Sequence, residues 1–428
     1  MKILVINVHS SQNAGDAALL TMALRLLRAA FPGSVITVAM NRPEAGLSSQ
    51  ESDRVGVLPS FMAHLGYGGA PISIGQRLWA GVRILAVSLA SALTYRWRQR
   101  LPGWVRGELG DLLAAYTLAD LVVSCPGNIF ATRSRFGLPF LLSALTVAYA
   151  SLLRKPLYVL PQSIGPLAVG WQRALVRWVY SHARIVQARE PVSFRLALRI
   201  GIPEARLRLV PDLALALPAA PPAEVTTACA RLGITGARPM LGVTAINRLL
   251  SRHGDAVWDR YETAMAHALR TFLQRYGGCV VFYPQVCGPT EREDDRIAAH
   301  RIVEGMGDSG AAILVDEPLS PELLKGLYGE MDLFLATRLH SGIFAASMGV
   351  PTLLVEYLSK TRGLAEMMGL EERRLELAEI SDDLLWNTLE SLWLDRAAVR
   401  EHLSRVLPPL EQQAMLAGQI IAEDFHGC

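Results

Sequence analysis

Lysine is scarce in this 428-residue chain: Lys2, Lys155, Lys325 and Lys360 are the only four among 42 basic residues. A lysine kept in so arginine-rich a background hints at a place where a compact ammonium is wanted. Cysteine is scarce too. Cys125, Cys229, Cys279, Cys287 and Cys428 are scattered, odd in number and without a C-x-x-C spacing. That excludes a disulfide scaffold and a structural zinc site, and it suits a reducing cytosol. The formal charge of +3 is too small to call for a nucleic-acid partner. A secretory leader is not expected, since MKILVINVH sets only a short apolar run before polar SSQNAGD. Long unbroken apolar runs are wanting as well. Phe136 to Leu153 contains Pro139 and Leu78 to Trp97 is broken by Arg83; both are expected as buried helices of a large domain, not as membrane spans.

What is present is core material. Apolar residues make up 51% of the chain and charged ones 19%, a globular composition at a length that favours two domains. The small net charge conceals an asymmetry. Between Arg54 and Arg189 there are 15 basic residues against three acidic ones, Glu108, Asp111 and Asp120. The series Arg77, Arg83, Arg96, Arg98, Arg100, Arg106 runs beside the apolar 78–97 stretch. Two readings stand for it: a basic amphipathic segment that sits on anionic lipid or reaches a lipid-linked diphosphate, or a solvated arginine face around a core helix.

Short, continuous apolar runs alternate with helical stretches. Strands are expected at Ile3–Val8, Val35–Met40, Leu121–Cys125, Leu157–Pro161 and Ile185–Ala188. A second set follows at Met240–Ile246, Cys279–Tyr283, Ile313–Val315, Leu333–Ala336 and Thr352–Glu356. Continuous rather than alternating runs predict parallel strands with helices on both faces, among them Ala17–Ala30, Gln172–Ser181, Tyr261–Tyr276, Pro321–Tyr328 and Gly342–Met348. The proline- and alanine-rich stretch Leu217–Glu224 reads as the linker. The expected organisation is an α/β domain over 1–216, a second over 225–381 and a helical tail over 382–428, with ligands in the cleft between the domains.

Candidate chemistry gathers where strands end. The loop His9–Asp16 offers backbone N–H groups and a helix start, but it is neither a G-x-G-x-x-G nor a P-loop. Asn13 and Asp16 are its polar members; Asp16 can cap a helix from Ala17 or hold sugar hydroxyls. In Pro161-Gln-Ser-Ile-Gly-Pro166 the turn leaves Gln162 and Ser163 able to hydrogen-bond. Arg189-Glu190 follows a strand, an ion pair between the two being the plain reading, and Asp212 lies at another strand end. In Asp332–Gly342 an apolar strand runs into Arg338 and His340, an alternate pair expected on one face of an extended turn. A helix dipole and Arg338 would lower the His340 pKa and favour an imidazole that accepts a proton. Lys360 follows the next strand.

Taken in order, Asn13-Ala-Gly-Asp16, Gln162-Ser-Ile-Gly-Pro166, Arg189-Glu190, Pro211-Asp212 and Arg338-Leu-His340-Ser resemble the polysaccharide pyruvyl transferase family, most closely its colanic-acid-type members. The resemblance implies a GT-B-like fold of two Rossmann-like domains with the active site between them. It also implies transfer from phosphoenolpyruvate to two hydroxyls of a sugar acceptor, lipid-linked or free, without a cofactor or a metal. It assigns Arg189, Arg338 and Lys360 to the donor, His340 with Arg338 to catalysis, and Asn13, Asp16, Gln162 and Asp212 to the acceptor side. The setting expected is the cytoplasm, with peripheral contact at the inner membrane on the amphipathic reading of the basic 77–106 segment. One departure is Ser124-Cys-Pro-Gly-Asn128, where members often carry a glycine triplet. Two other classes compete. One is a GT-B glycosyltransferase using a nucleotide sugar, for which Glu356 would meet the ribose; the other is a non-catalytic glycan-binding member.

Overall fold

The computed structural model describes residues 1–46, 55–66, 73–132, 134–234, 237–250, 254–288, 290–307, 310–358 and 360–427. Arg54, Ser359 and Cys428 lie outside them. The chain divides into two compact units. Unit one comprises Met1–Ser11, Leu19–Leu213 and Gln413–Cys428; unit two comprises Gln12–Ala18 and Ala214–Gln412.

Unit one carries strands β1 (Lys2–Val8), β2 (Val35–Met40), β3 (Val55–Pro59), β4 (Leu121–Ser124), β5 (Gly127–Thr132), β6 (Leu157–Leu167), β7 (Ile185–Ala188) and β8 (Leu207–Leu209). They form one parallel sheet in the order β3-β2-β1-β4-β6-β7-β8, with β5 also paired to β6. Around it lie helices α1 (Ala14–Ala30), α2 (Ile74–Arg98), α3 (Gly107–Leu118), α4 (Leu138–Leu152), α5 (Gly170–Ser181) and α6 (Pro191–Arg199). The first turn of α1 belongs to unit two. Central strands such as β4 and β7 are buried at every position, because helices close both faces of a parallel sheet. The core is held by edge-to-face aromatics: Tyr116 on Tyr149, Phe61 on Tyr149 and Phe130 on Tyr180. Buried phenols need partners, so Tyr116 donates to the Thr146 carbonyl at 2.8 Å and Tyr149 meets Ser91 Oγ at 2.9 Å.

Unit two repeats the plan with β9 (Met240–Thr244), β10 (Cys279–Phe282), β11 (Ala312–Leu314), β12 (Leu333–Ala336), β13 (Thr352–Glu356) and β14 (Arg374–Glu376), parallel in the order β11-β10-β9-β12-β13-β14. Its helices are α7 (Pro222–Arg231), α8 (Asp255–Tyr276), α9 (Asp295–Met306), α10 (Pro321–Gly329), α11 (Leu339–Ser347), α12 (Lys360–Met368), α13 (Asp382–Leu394) and most of α14 (Arg396–Met415). The last helix, α15 (Ala417–His426), lies on unit one, where Ala417 O accepts from Gln187 Nε2 at 2.9 Å and Asp424 accepts from Tyr158 at 2.6 Å. The α/β reading with parallel strands therefore holds in both units.

Two local expectations change. The 217–224 stretch is not a bare connection: Leu217 and Ala220 are buried, Ala220 N donates to the Glu322 carbonyl at 2.9 Å, and α7 starts at Pro222. Its neighbours Leu215 and Leu217 each offer a carbonyl to the buried Lys325 ammonium, at 2.9 and 2.6 Å. The 136–153 stretch forms a well-buried helix, α4, but the 78–97 stretch does not. Only Gly81, Ile84, Ser88, Ser91 and Ala92 of α2 are buried, since apart from Ile84 the face turned to the core carries small residues and most of the large apolar ones point outward.

Candidate functional site

In unit two the site grows from the loop 12–18. Asn13, not Asp16, opens α1: its Oδ1 accepts from Gly15 N at 2.9 Å and Asp16 N at 3.4 Å, three residues earlier than the expected helix start. Asp16 is thereby left in the first helical turn, half-buried, where a carboxylate suits the positive end of the dipole. The loop is pinned by an antiparallel bridge between Asn13 and Val286 and by Ala14 N donating to Gln285 O at 3.0 Å. This brings Gly15 against His340. A Cβ at position 15 would overlap the imidazole, nearest its Nδ1, so the glycine is what lets the backbone pass there.

His340 lies in the first turn of α11 with Arg338 as the residue before the helix, and both are buried. The expectation of an extended Arg338–His340 pair on one face is therefore corrected. The helix begins early because Ser341 Oγ donates to the Arg338 carbonyl at 2.6 Å and meets Thr244 Oγ1 at 2.7 Å, while Thr337 N donates to Thr244 Oγ1 at 3.2 Å. Arg338 then turns to Asp295. Its Nε donates to both carboxylate oxygens at 3.1 Å and Nη2 donates to Oδ1. Asp295, at the start of α9, also accepts from Gln285 N and Val286 N at 3.2 and 3.1 Å. Burial pulls the Arg338 pKa down, but Asp295 and then Tyr357 outweigh it and raise it above the ordinary arginine value. One carboxylate thus fixes the arginine and the 285–286 strand end on which the Asn13 loop hangs.

Unit one holds the other set. Arg189, just past β7, donates from Nε to Ser163 Oγ at 2.7 Å and from Nη1 to Asp212 Oδ2 at 2.7 Å. Both members of that ion pair are 3% exposed. The plain reading of an Arg189–Glu190 pair is corrected: Glu190 caps α6, accepting from Ser193 N at 2.9 Å and from Ser193 Oγ. Ser193 Oγ in turn accepts from Ile164 N at 2.7 Å. Gln162 is fully buried, its amide donating to the Cys125 carbonyl beside the departure at 124–128. Asn7 adopts a left-handed φ of 62° and donates to Ser124 Oγ at 3.0 Å, a conformation asparagine tolerates better than most residues.

The structure gathers Asn13, Asp16, Arg338 and His340 in unit two, and Gln162, Arg189 and Asp212 in unit one. Lys360 opens α12, half-buried, after β13. Glu356 is taken up by Arg374 Nη1 at 2.5 Å and by Arg362 at 3.6 Å. Asp295 escaped the sequence reading altogether; its one local signal was the acidic run Glu293-Asp-Asp295 ahead of a helical stretch. Among the described residues no cluster of His, Cys, Asp and Glu could hold a metal ion.

Comparison with known proteins places this geometry in context. A family model described as polysaccharide pyruvyl transferase matches residues 13–359. The amylovoran biosynthesis protein AmsJ of Erwinia amylovora is 22% identical over 442 residues, which cover 99% of each chain. HepE of Anabaena, solved with UDP and glucose, is similar at a TM-score of 0.58 and 14% identity. The UDP-GlcNAc 2-epimerase of Neisseria meningitidis, solved with UDP-GlcNAc, gives 0.61 and 12%. Each of the two covers 100% of both chains. These likenesses identify the fold as GT-B-like, built of two Rossmann-like domains.

Proposed function

Since the chain belongs to the polysaccharide pyruvyl transferase family, we propose that it moves a pyruvyl group from phosphoenolpyruvate onto two hydroxyls of one sugar. The acceptor is a sugar of an exopolysaccharide or cell-surface glycan, lipid-linked or free. The coarser role is plain: this is a transferase of polysaccharide biosynthesis. The finer one rests on the seat of His340, an imidazole set on the Gly15 backbone, two residues from an arginine whose direction Asp295 fixes.

The chemistry asks for those groups. Phosphoenolpyruvate presents a carboxylate and a phosphate, which need directed cationic donors; Arg338, Arg189 and Lys360 are the donor ligands of this reading. Ketal formation adds two sugar oxygens to the enol carbon and breaks its bond to phosphate. Of the two protons leaving the hydroxyls, one balances the proton gained by the methylene carbon and the other departs with phosphate. His340 carries one of these transfers, with Arg338 holding the charge that develops on the donor. Asp16, half-buried in the first turn of α1, orients the diol. Asn13, Gln162 and Asp212 serve the acceptor side through the segments they hold. The bonds of Glu356 to Arg374 and Arg362 count against the nucleotide-sugar reading, which would have it bind a ribose.

The test is release of inorganic phosphate from phosphoenolpyruvate with a panel of free and lipid-linked glycosides. Acceptor-dependent release that vanishes in His340→Ala is expected. Nucleotide release from a nucleotide sugar, with no phosphoenolpyruvate bound, would overturn the proposal.

A further inference from the structure

We infer that α2 is a membrane-docking helix that lies flat in the interface of a bilayer rich in anionic lipid. A helix on a water-soluble domain normally turns its large apolar residues inward and its small or polar ones outward. In α2 this is reversed. Apart from Ile84, the buried residues are small, Gly81, Ser88, Ser91 and Ala92, with Val87 and Tyr95 partly buried beside them; Ser91 meets the Tyr149 hydroxyl at 2.9 Å and Leu138 of α4 abuts Gly81. Leu78, Val82, Leu85, Leu89, Leu93 and Trp97, at helical spacing along one side, point to solvent. Val82 is 67% exposed, Leu93 68% and Trp97 82%. Such a continuous apolar stripe on the outside of a protein marks an interaction surface.

The charge around the stripe selects the occupant. Arg83 and Arg98 lie over the rings of Trp79 and Trp97, 5.8 and 5.5 Å from the centroids, so cations border the stripe near both of its ends. Arg96, Arg100 and Arg106 follow, and acidic residues are nearly missing from this part of the chain. Exposed tryptophans beside arginines match the level of lipid headgroups, where a ring meets the acyl boundary and a guanidinium meets phosphate. A second copy of the chain would set arginine rows against each other, which the charge disfavours.

α2 has the length and composition to cross a bilayer. Its packed side speaks for lying flat instead: crossing would strip Ile84 and Ala92 from the core and part Ser91 from Tyr149.

Flotation of the full-length protein with vesicles of phosphatidylglycerol and phosphatidylcholine, against phosphatidylcholine alone, tests this without donor or acceptor. Its outcome is therefore separate from that of pyruvyl transfer. Wild-type protein is expected to float with the anionic vesicles and to be released by high salt. The triple change Leu89→Ser, Leu93→Ser, Trp97→Ser should weaken binding at least about tenfold with an unaltered melting temperature, because these side chains project into solvent. Arg83→Gln and Arg98→Gln should each weaken it about fivefold and flatten the salt dependence. Protein left at the bottom of both gradients would overturn the inference. So would equal binding to neutral vesicles, or a wild-type dimer that the serine changes dissociate without any vesicle binding.

Discussion

Two buried arginine–aspartate pairs stand just past parallel strands, one in each unit, and in the second the aspartate also clamps a stretch of backbone. Asp212 accepts one N–H of Arg189, whose other direction is set by the Ser163 hydroxyl. Asp295 accepts from two nitrogens of Arg338 and from two backbone N–H groups besides. The first pair fixes a side chain. The second also fixes a loop, and through the Asn13–Val286 bridge it fixes the surface on which His340 rests. A buried ion pair is a weak source of net stability, so the return on the second pair is position.

Removing the carboxylates breaks the comparison most severely. Asp295→Ala would leave Arg338 buried and unpaired and free two backbone donors, at an expected cost of about 3–5 kcal/mol in urea unfolding. Turnover should be lost with it. Asp212→Ala should cost about 3 kcal/mol, because it leaves Nη1 of the buried Arg189 without its carboxylate. Equal losses from the two changes would mean that the backbone clamp adds nothing.

Gly15→Ala is expected to separate position from stability. The ring can swing away, so unfolding should move by no more than about 1 kcal/mol, while phosphate release drops about a hundredfold with the general acid–base group displaced. Combining it with His340→Ala should restore the melting temperature to that of the single His340→Ala variant. A double variant that stays less stable would show that the methyl strains the loop itself.

The smallest effect concerns Lys325. Burial pulls its ammonium down to about 8 from the ordinary 10.5, with Glu411 opposing. Between those values the unfolded chain binds the extra proton, so stability rises with pH across that window and the gain is absent below it. Lys325→Met should remove this rise in thermal melts taken at successive pH values. A slope unchanged from wild type would show that the group does not titrate there.

Much of the frame was legible because parallel strands covered on both faces are continuous apolar runs. β2, β7, β12 and β13 begin and end where the residues predict. β8 and β14 lay hidden, short edge strands whose charged positions leave no apolar run, and β3, an edge strand of sequence VGVLP, is interrupted by a glycine and closed by a proline. β6 outruns its expected end at Pro161 because β5 pairs with the 162–167 part, a long-range partner that no local pattern announces. Arg338, His340 and the Asn13 loop could be singled out as candidates, since polar residues at strand ends stand out against apolar neighbours. Asp295 could not, because its meaning lies in an arginine 43 positions away. The two apolar stretches of the basic half show the same limit. Apolar length makes both stretches read as core helices although α4 is the more apolar, and only the burial of Gly81, Ile84, Ser88, Ser91 and Ala92 shows which side of α2 turns inward.

The seat of His340 on Gly15 also bears on divergence. A Cβ at position 15 would overlap the imidazole of position 340, so a side chain at 15 must displace the ring, whereas loss of the ring leaves Gly15 undisturbed. Among relatives that keep the Asn13–Val286 geometry, alanine or serine at 15 should occur only where position 340 has given up its imidazole. In a drifting lineage the loss of the ring would have to come first, and the pair would act as a one-way gate: once a side chain occupied position 15, regaining the histidine would first require regaining the glycine.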